Sequence, residues 1–191
     1  MENNTAKHIL DVAQDIVRNR GYSAFSYADI SKQVGIRKAS IHYHFPSKDE
    51  LVRALVKRYR EGMARTCAQI AKSAASPDQQ MLQFANLYRD GLEHNQICLC
   101  AMLAADFAVL PPAVQEEIQR FFRDIEVWLT TLLQQGCDDK LWDCQPSVEQ
   151  EAKGLMAMLQ GAQLLARSSE DGAAAFEQLV YPILEAKFSN A

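Results

Sequence analysis

Residues 26–51 read SYADISKQVGIRKASIHYHFPSKDEL, and the fold is decided by how this stretch is parsed. Ser26-Tyr-Ala-Asp29 has the form of a capping box, in which a serine starts a helix and an acidic side chain three residues on reaches back to its amide. Ala28, Ile30, Ser31 and Val34 follow at helical spacing, which predicts a helix of about two turns. Gly35 then supplies the left-handed residue that a sharp reversal needs. Beyond Ile36, residues 37–44 are predicted to form a second short helix, with Ile41 and Phe45 facing inward beside Ile30, Val34 and Ile36. A helix this short is not stable by itself, so its hold must come from a scaffold. Helix, turn near 34–37 and helix make a helix-turn-helix pattern.

The rest of the chain supplies the scaffold. Residues 5–20 place Ile9, Leu10, Val12, Ala13, Ile16 and Val17 on one broad face, and Gly21 stops the pattern. Pro46-Ser47-Lys-Asp-Glu50 restarts the chain, and Leu51, Leu55 and Tyr59 carry a long helix to about Ser73. Ser76-Pro77 caps a fifth helix over 77–95, and a sixth covers about 98–108. Leu110-Pro-Pro112 breaks the chain and launches a seventh over 112–135, ended by Gly136. Gln145-Pro-Ser147 opens an eighth over 147–168, and Gly172 precedes a ninth over about 173–188. No segment shows strand alternation, so the expected class is all-α with about nine helices. A three-helix amino-terminal domain over 1–50 is followed by a larger helical domain over 51–191.

The chain has 191 residues, 48% of them apolar, and no apolar run is long enough for a membrane span. The first residues, MENNTAKHIL, lack the pattern of a signal peptide, so a cytoplasmic location is expected. Five cysteines, at 67, 98, 100, 137 and 144, form no regular framework, which fits reduced thiols. The net charge of -4 is unevenly spread: residues 1–60 hold eleven Lys and Arg against six Asp and Glu, and the remainder holds nine against eighteen. A basic end on an acidic body suits a polyanion at one end and a different task at the other.

The short helix at 37–44 would expose Arg37, Lys38, Ser40, Tyr43 and His44, the side-chain types that enter a major groove and grip flanking phosphates. Lys48 adds a charge at the start of the next helix. Gly21-Tyr22, Phe25-Ser26, Asp29-Ile30, Val34-Gly35-Ile36, Ile41-His42-Tyr43-His44-Phe45, Ser47-Lys48 and Leu51 together resemble the DNA-binding region of the tetracycline-repressor (TetR/AcrR) family of bacterial regulators, over roughly residues 5–55. The resemblance implies an all-α homodimer that represses transcription from an operator, releases DNA when a small molecule binds the carboxy-terminal domain, and pairs its subunits through the last two helices. By position, it places DNA contacts at Ser26, Arg37, Lys38, Ser40, His42, Tyr43 and Lys48. The family usually has Tyr where His42 stands. A histidine there still bonds a phosphate, but makes binding sensitive to pH near neutrality.

In the carboxy-terminal domain, Phe84, Tyr88, Cys98, Met102, Phe107, Phe121 and Trp128 form an aromatic and sulfur-rich set that suits either an apolar effector pocket or ordinary core. Cys98 and Cys100, with His94 nearby, are inert buried thiols or a thiol sensor of oxidants and electrophiles. Their spacing is no familiar metal pattern, and no metal or cofactor is expected. Gly154, Ala157, Met158, Gly161 and Leu165 form a small-residue stripe on the eighth helix, suited to a dimer partner or to the chain's own helices. No phosphate loop, HExxH, GxSxG or nucleophile with a base partner occurs, which speaks against an all-α enzyme. The partners expected are double-stranded DNA, a second copy of the chain and an unidentified effector, with no membrane.

Overall fold

The computed structural model describes residues 2–74, 76–143 and 147–188. Among them are nine α-helices and no strand: α1 (Glu2–Arg20), α2 (Tyr27–Val34), α3 (Lys38–His44), α4 (Lys48–Ser73), α5 (Pro77–Leu92), α6 (Leu99–Ala105), α7 (Pro112–Asp138), α8 (Val148–Ala166) and α9 (Gly172–Phe188). Cys144 and the Gln145-Pro146 start expected for the eighth helix lie outside the described residues.

Three helix ends differ from expectation, each for a local reason. α5 stops at Leu92, because Asn95 takes a left-handed φ of 54° and the Gln96 amide closes back on the Gly91 carbonyl at 2.9 Å. α6 ends at Ala105, and the chain tightens into a 3-10 turn at Phe107–Val109. α7 runs through Gly136 to Asp138 and turns only afterwards, at Lys140 with φ 58°. Gly136 serves packing instead of termination: a side chain there would overlap the Trp142 ring, whose indole N–H donates to the Leu133 carbonyl at 3.2 Å.

The chain divides into two compact units, Met1–Glu61 with Cys98–Phe121, and Gly62–Ile97 with Phe122–Ala191. In the first, α1 buries Ile9, Ala13, Ile16 and Val17, the four-residue spacing that the amphipathic pattern dictates. Phe25, Ile30, Ile41 and Phe45 are buried with them, as are Leu51, Val52, Leu55 and Val56 from α4. Each such side chain contributes about 1.5–3 kcal/mol when fully removed from water. Gly21 ends α1 at φ 83°, with its amide on the Val17 carbonyl at 2.9 Å. Arg58 ties α4 to α1 by donating to Asp11 at 2.7 Å and to Gln14 at 3.1 Å. α6 packs against α1. On α7, Glu117 is only 4% exposed and is offset by Arg60 at 3.4 Å and Arg120 at 3.3 Å.

The second unit is built on α5, α8 and α9, which pack pairwise. Met81, Phe84, Ala85 and Tyr88 meet a core that includes Leu159, Phe176, Val180 and Leu184. The buried Gln163 amide donates to the Tyr88 carbonyl at 2.6 Å, and Arg89 donates to Glu177 at 2.8 Å. Cys67, Cys98 and Cys100 are free thiols.

Because the Trp142 ring occupies the space beside Gly136, Gly136→Ala is expected to lower stability by about 1–3 kcal/mol. Urea unfolding followed by tryptophan emission would measure it, and an unchanged midpoint would remove the packing role assigned to this glycine.

Candidate nucleic-acid interface

The turn between α2 and α3 is built by a few specific bonds. The Asp29 carboxylate accepts from the Ser26 amide at 2.8 Å and from the Ser26 hydroxyl at 2.7 Å, which closes the start of α2 and holds the Asp29 carboxyl below its ordinary range. Gly35 ends α2 at φ 74°, with its amide on the Ser31 carbonyl at 3.0 Å. The Ser31 hydroxyl then donates to the Ile36 carbonyl at 2.5 Å. Tyr27 reaches past α3 to the Phe45 carbonyl at 2.7 Å, fixing the far end of that helix. Desolvation, then Glu50 and Asp49, push the Tyr27 phenol up to about 12, so it remains a neutral donor.

α3 has seven residues and buries one of them, Ile41. Arg37, expected inside this helix, is its N-cap residue, extended at φ −72° and ψ 148°. Arg37, Lys38, His42 and Tyr43 are exposed, and Ser40 and His44 are half-buried. Tyr43 is 72% exposed. No acidic side chain stands in KASIHYH, so the surface is hydroxyl-bearing, aromatic and basic. Six of the eight sequence-derived contacts therefore lie on α3 or at its cap, with Ser26 at the head of α2 and Lys48 at the head of α4.

Ser26, Lys48 and His42, whose Nδ1 lies 3.1 Å from the Pro46 carbonyl oxygen, are among those already engaged. The Ser26 hydroxyl donates to Asp29. The Lys48 ammonium donates to the Tyr22 carbonyl at 2.7 Å and sits 4.0 Å and 4.4 Å from the centres of the Tyr22 and Phe25 rings. Desolvation there lowers its pKa. Lys48 thus fastens the α1–α2 connection to the head of α4, a role its charge and spacing alone did not signal. Tyr22 in turn donates to Asp49 at 3.2 Å.

The candidate effector residues separate into two groups. Phe84 stacks on Trp128 at 4.9 Å and meets Tyr88 edge-on at 5.5 Å, all in the second unit. Cys98, Met102, Phe107 and Phe121 belong to the first, where Tyr59 packs on Phe121 at 5.5 Å and lies beside Cys98. Burial, followed by Cys98, pushes the Tyr59 phenol well up. Cys98 and Cys100 are both buried, and burial raises the Cys100 thiol well above its ordinary range, the reverse of a reactive thiolate. His94 stands exposed after α5.

The stripe on α8 faces outward. Leu155, Leu159, Ala162 and Ala166 turn inward, whereas Gly154 and Ala157 are exposed and a side chain added at Gly154 or Gly161 would meet nothing within 4 Å. Met158 and Gly161 are half-buried beside Leu165, which is 64% exposed. Leu164 on α8 and Leu179 and Ile183 on α9 extend this apolar surface, and the sequence pattern had not singled them out.

Among the described residues no helix is long and apolar enough to cross a membrane, and no three His, Cys, Asp or Glu side chains group as a metal site.

Residues 9–55 match the family profile "Bacterial regulatory proteins, tetR family". The chain is 31% identical over 152 residues to the HTH-type transcriptional regulator CymR of Pseudomonas putida, covering 72% of each protein. It is 21% identical over 172 residues to the HTH-type transcriptional repressor NemR of Escherichia coli, covering 88% of this chain and 86% of that one. A TetR-family regulator from Agrobacterium tumefaciens has a similar structure, with a TM-score of 0.94 and 36% identity over 98% of this chain and 100% of its own. A TetR regulator from Legionella pneumophila gives 0.82 and 28% over 95% of each.

Since Lys48 holds a carbonyl and two ring faces, Lys48→Met is expected to lower stability by about 1 kcal/mol even without DNA. A thermal melt of the free protein measures this, and an unchanged melt would return Lys48 to a purely surface role.

Proposed function

Because the chain belongs to the TetR family and is a DNA-binding transcriptional regulator, we propose that it is a repressor that acts as a homodimer on a near-palindromic operator and leaves it when a small molecule binds. Residues 1–50 read DNA, and residues 51–191 bind the effector and the second subunit. The observation that carries this is α3, a short helix held by one buried isoleucine and presenting Arg37, Lys38, His42 and Tyr43 to solvent. Arg37 and Lys38 stand at its amino-terminal end, where such helices approach base edges. Ser40, Tyr43 and His44 serve phosphate oxygens, and two recognition helices about a two-fold axis read half-sites about one DNA turn apart.

The outward face of α8 and α9 supports dimerisation, since Gly154, Ala157 and Gly161 permit close approach while Met158, Leu164, Leu165 and Ile183 supply apolar area. A reversible effector is favoured over covalent thiol sensing, because Cys98 and Cys100 are buried. Phe84, Tyr88 and Trp128 are the candidates for contact with an aromatic or apolar portion of that effector, with Cys98, Met102, Phe107 and Phe121 as further candidates. Repression is supported by the name of the NemR relative. A regulator that acts on chromosomal DNA in a bacterium works in the cytoplasm, and no enzymatic step enters this function.

Arg37→Ala and Lys38→Ala are each expected to weaken binding to the DNA upstream of the protein's own gene by about 1–3 kcal/mol at moderate salt, with the dimer intact. Anisotropy titration beside sedimentation checks both, and unchanged affinity would refute the assignment. Leu165→Asp is expected to give monomers that bind a two-half-site operator weakly; a dimeric variant would refute the α8 face. Replacing Cys98 and Cys100 together by Ser is expected to leave effector-driven DNA release intact, and loss of release would revive thiol sensing.

A further inference from the structure

His42 is distinguished from its neighbours on α3 by a bond that fixes its chemistry. Its Nδ1 lies 3.1 Å from the Pro46 carbonyl oxygen. A carbonyl can only accept, so Nδ1 carries the hydrogen and donates. In the neutral ring this leaves Nε2 as a bare lone pair on an exposed side chain. A phosphate oxygen offers no hydrogen to such an atom, so the neutral ring gives it no bond there. Protonation adds an N–H at Nε2 without breaking the bond to Pro46, and turns the outer edge of the ring into a charge-assisted donor.

We propose that His42 is a proton-gated phosphate contact: its imidazolium form grips the DNA backbone and its neutral form does not, so that DNA affinity rises as pH falls through neutrality. The inference rests on the DNA-binding function proposed above. The carboxylates nearest this side of the domain are Asp49 and Glu50, which also push up the neighbouring Tyr27 phenol. From α2, the Tyr27 ring lies 4.7 Å away and is occupied by its bond to the Phe45 carbonyl. From α3 come Lys38, Tyr43 and His44, with no carboxylate. From the head of α4 come Asp49, engaged by the Tyr22 hydroxyl, and Glu50, while the Lys48 ammonium is turned to the Tyr22 carbonyl.

The sign follows from linkage. A phosphate binds the imidazolium form and not the neutral ring, so DNA binding takes up protons and affinity is lost as pH rises. With one contact per half-site, affinity is expected to fall roughly five- to twentyfold between about pH 6 and 8, the range in which imidazoles titrate.

The probe is a labelled duplex from the DNA upstream of the protein's own gene, titrated by anisotropy at constant ionic strength across this pH range. His42→Gln keeps a neutral donor and is expected to flatten the profile, whereas His8→Gln and His94→Gln, away from α3, are expected to keep it. Calorimetry in two buffers of different ionisation enthalpy is expected to show proton uptake on binding by the wild type, and none by His42→Gln. A flat wild-type profile, or a slope that survives in His42→Gln, overturns the proposal. If His42→Gln binds no duplex, the His42 ring is titrated by NMR with and without DNA, and an unmoved midpoint overturns it equally. A wild type that binds no duplex at any pH overturns the DNA-binding function itself, whereas tight, pH-flat binding overturns this proposal alone.

Discussion

Ile41 is the one side chain that α3 buries, and the surface that α3 exposes depends on it. A seven-residue helix in water loses more in chain entropy than its few hydrogen bonds return, so α3 persists only because Ile41 sits in a core shared with Ile30, Phe25 and Phe45. The same economy creates the surface. With one residue committed inward, the others lie exposed or half-buried, and apart from Ala39 they are basic, aromatic or hydroxyl-bearing. Gly35 sets the geometry, because its left-handed φ of 74° lets α2 end and the chain reverse within two residues.

Around that anchor, polar groups do positional work. Tyr27 pins the end of α3 through the Phe45 carbonyl, and Pro46 holds the His42 ring. Lys48 and Tyr22 fasten the head of α4 to the end of α1, while Arg58 joins the two helices again further along α4. None of these bonds contributes more than about 1–2 kcal/mol, yet together they fix the angle at which α3 is offered. The exposed apolar residues of α8 and α9 are the counterpart at the other end of the chain, a surface with no polar role that suits a second subunit.

Much of this was legible in the sequence, because helical periodicity and turn chemistry are local. The capping box, the glycine turn, the inward Ile41 and the nine helices follow from spacing alone. What escaped notice depends on distant residues. Gly136 reads as a helix terminator until Trp142, six positions on, is seen to fill the space beside it. Lys48 reads as a phosphate contact, and its additional hold on the Tyr22 carbonyl and two ring faces depends on residues more than twenty positions away. Asn95 ends α5 three residues early because asparagine tolerates the left-handed turn nearly as glycine does. The effector set was grouped by residue type, which carries no information about which helix a side chain meets, and its members fall in two different units.

The central claim is that α3 delivers a dimer to specific DNA. Its most direct test is binding of the wild-type protein to the duplex upstream of its own gene and to an unrelated duplex, each over a range of salt concentrations. Specific recognition predicts much tighter binding to the first at every salt, at a stoichiometry of two chains per site, with affinity falling steeply as salt rises because phosphate contacts release counterions. Equal affinity for the two duplexes, or binding indifferent to salt, would contradict it.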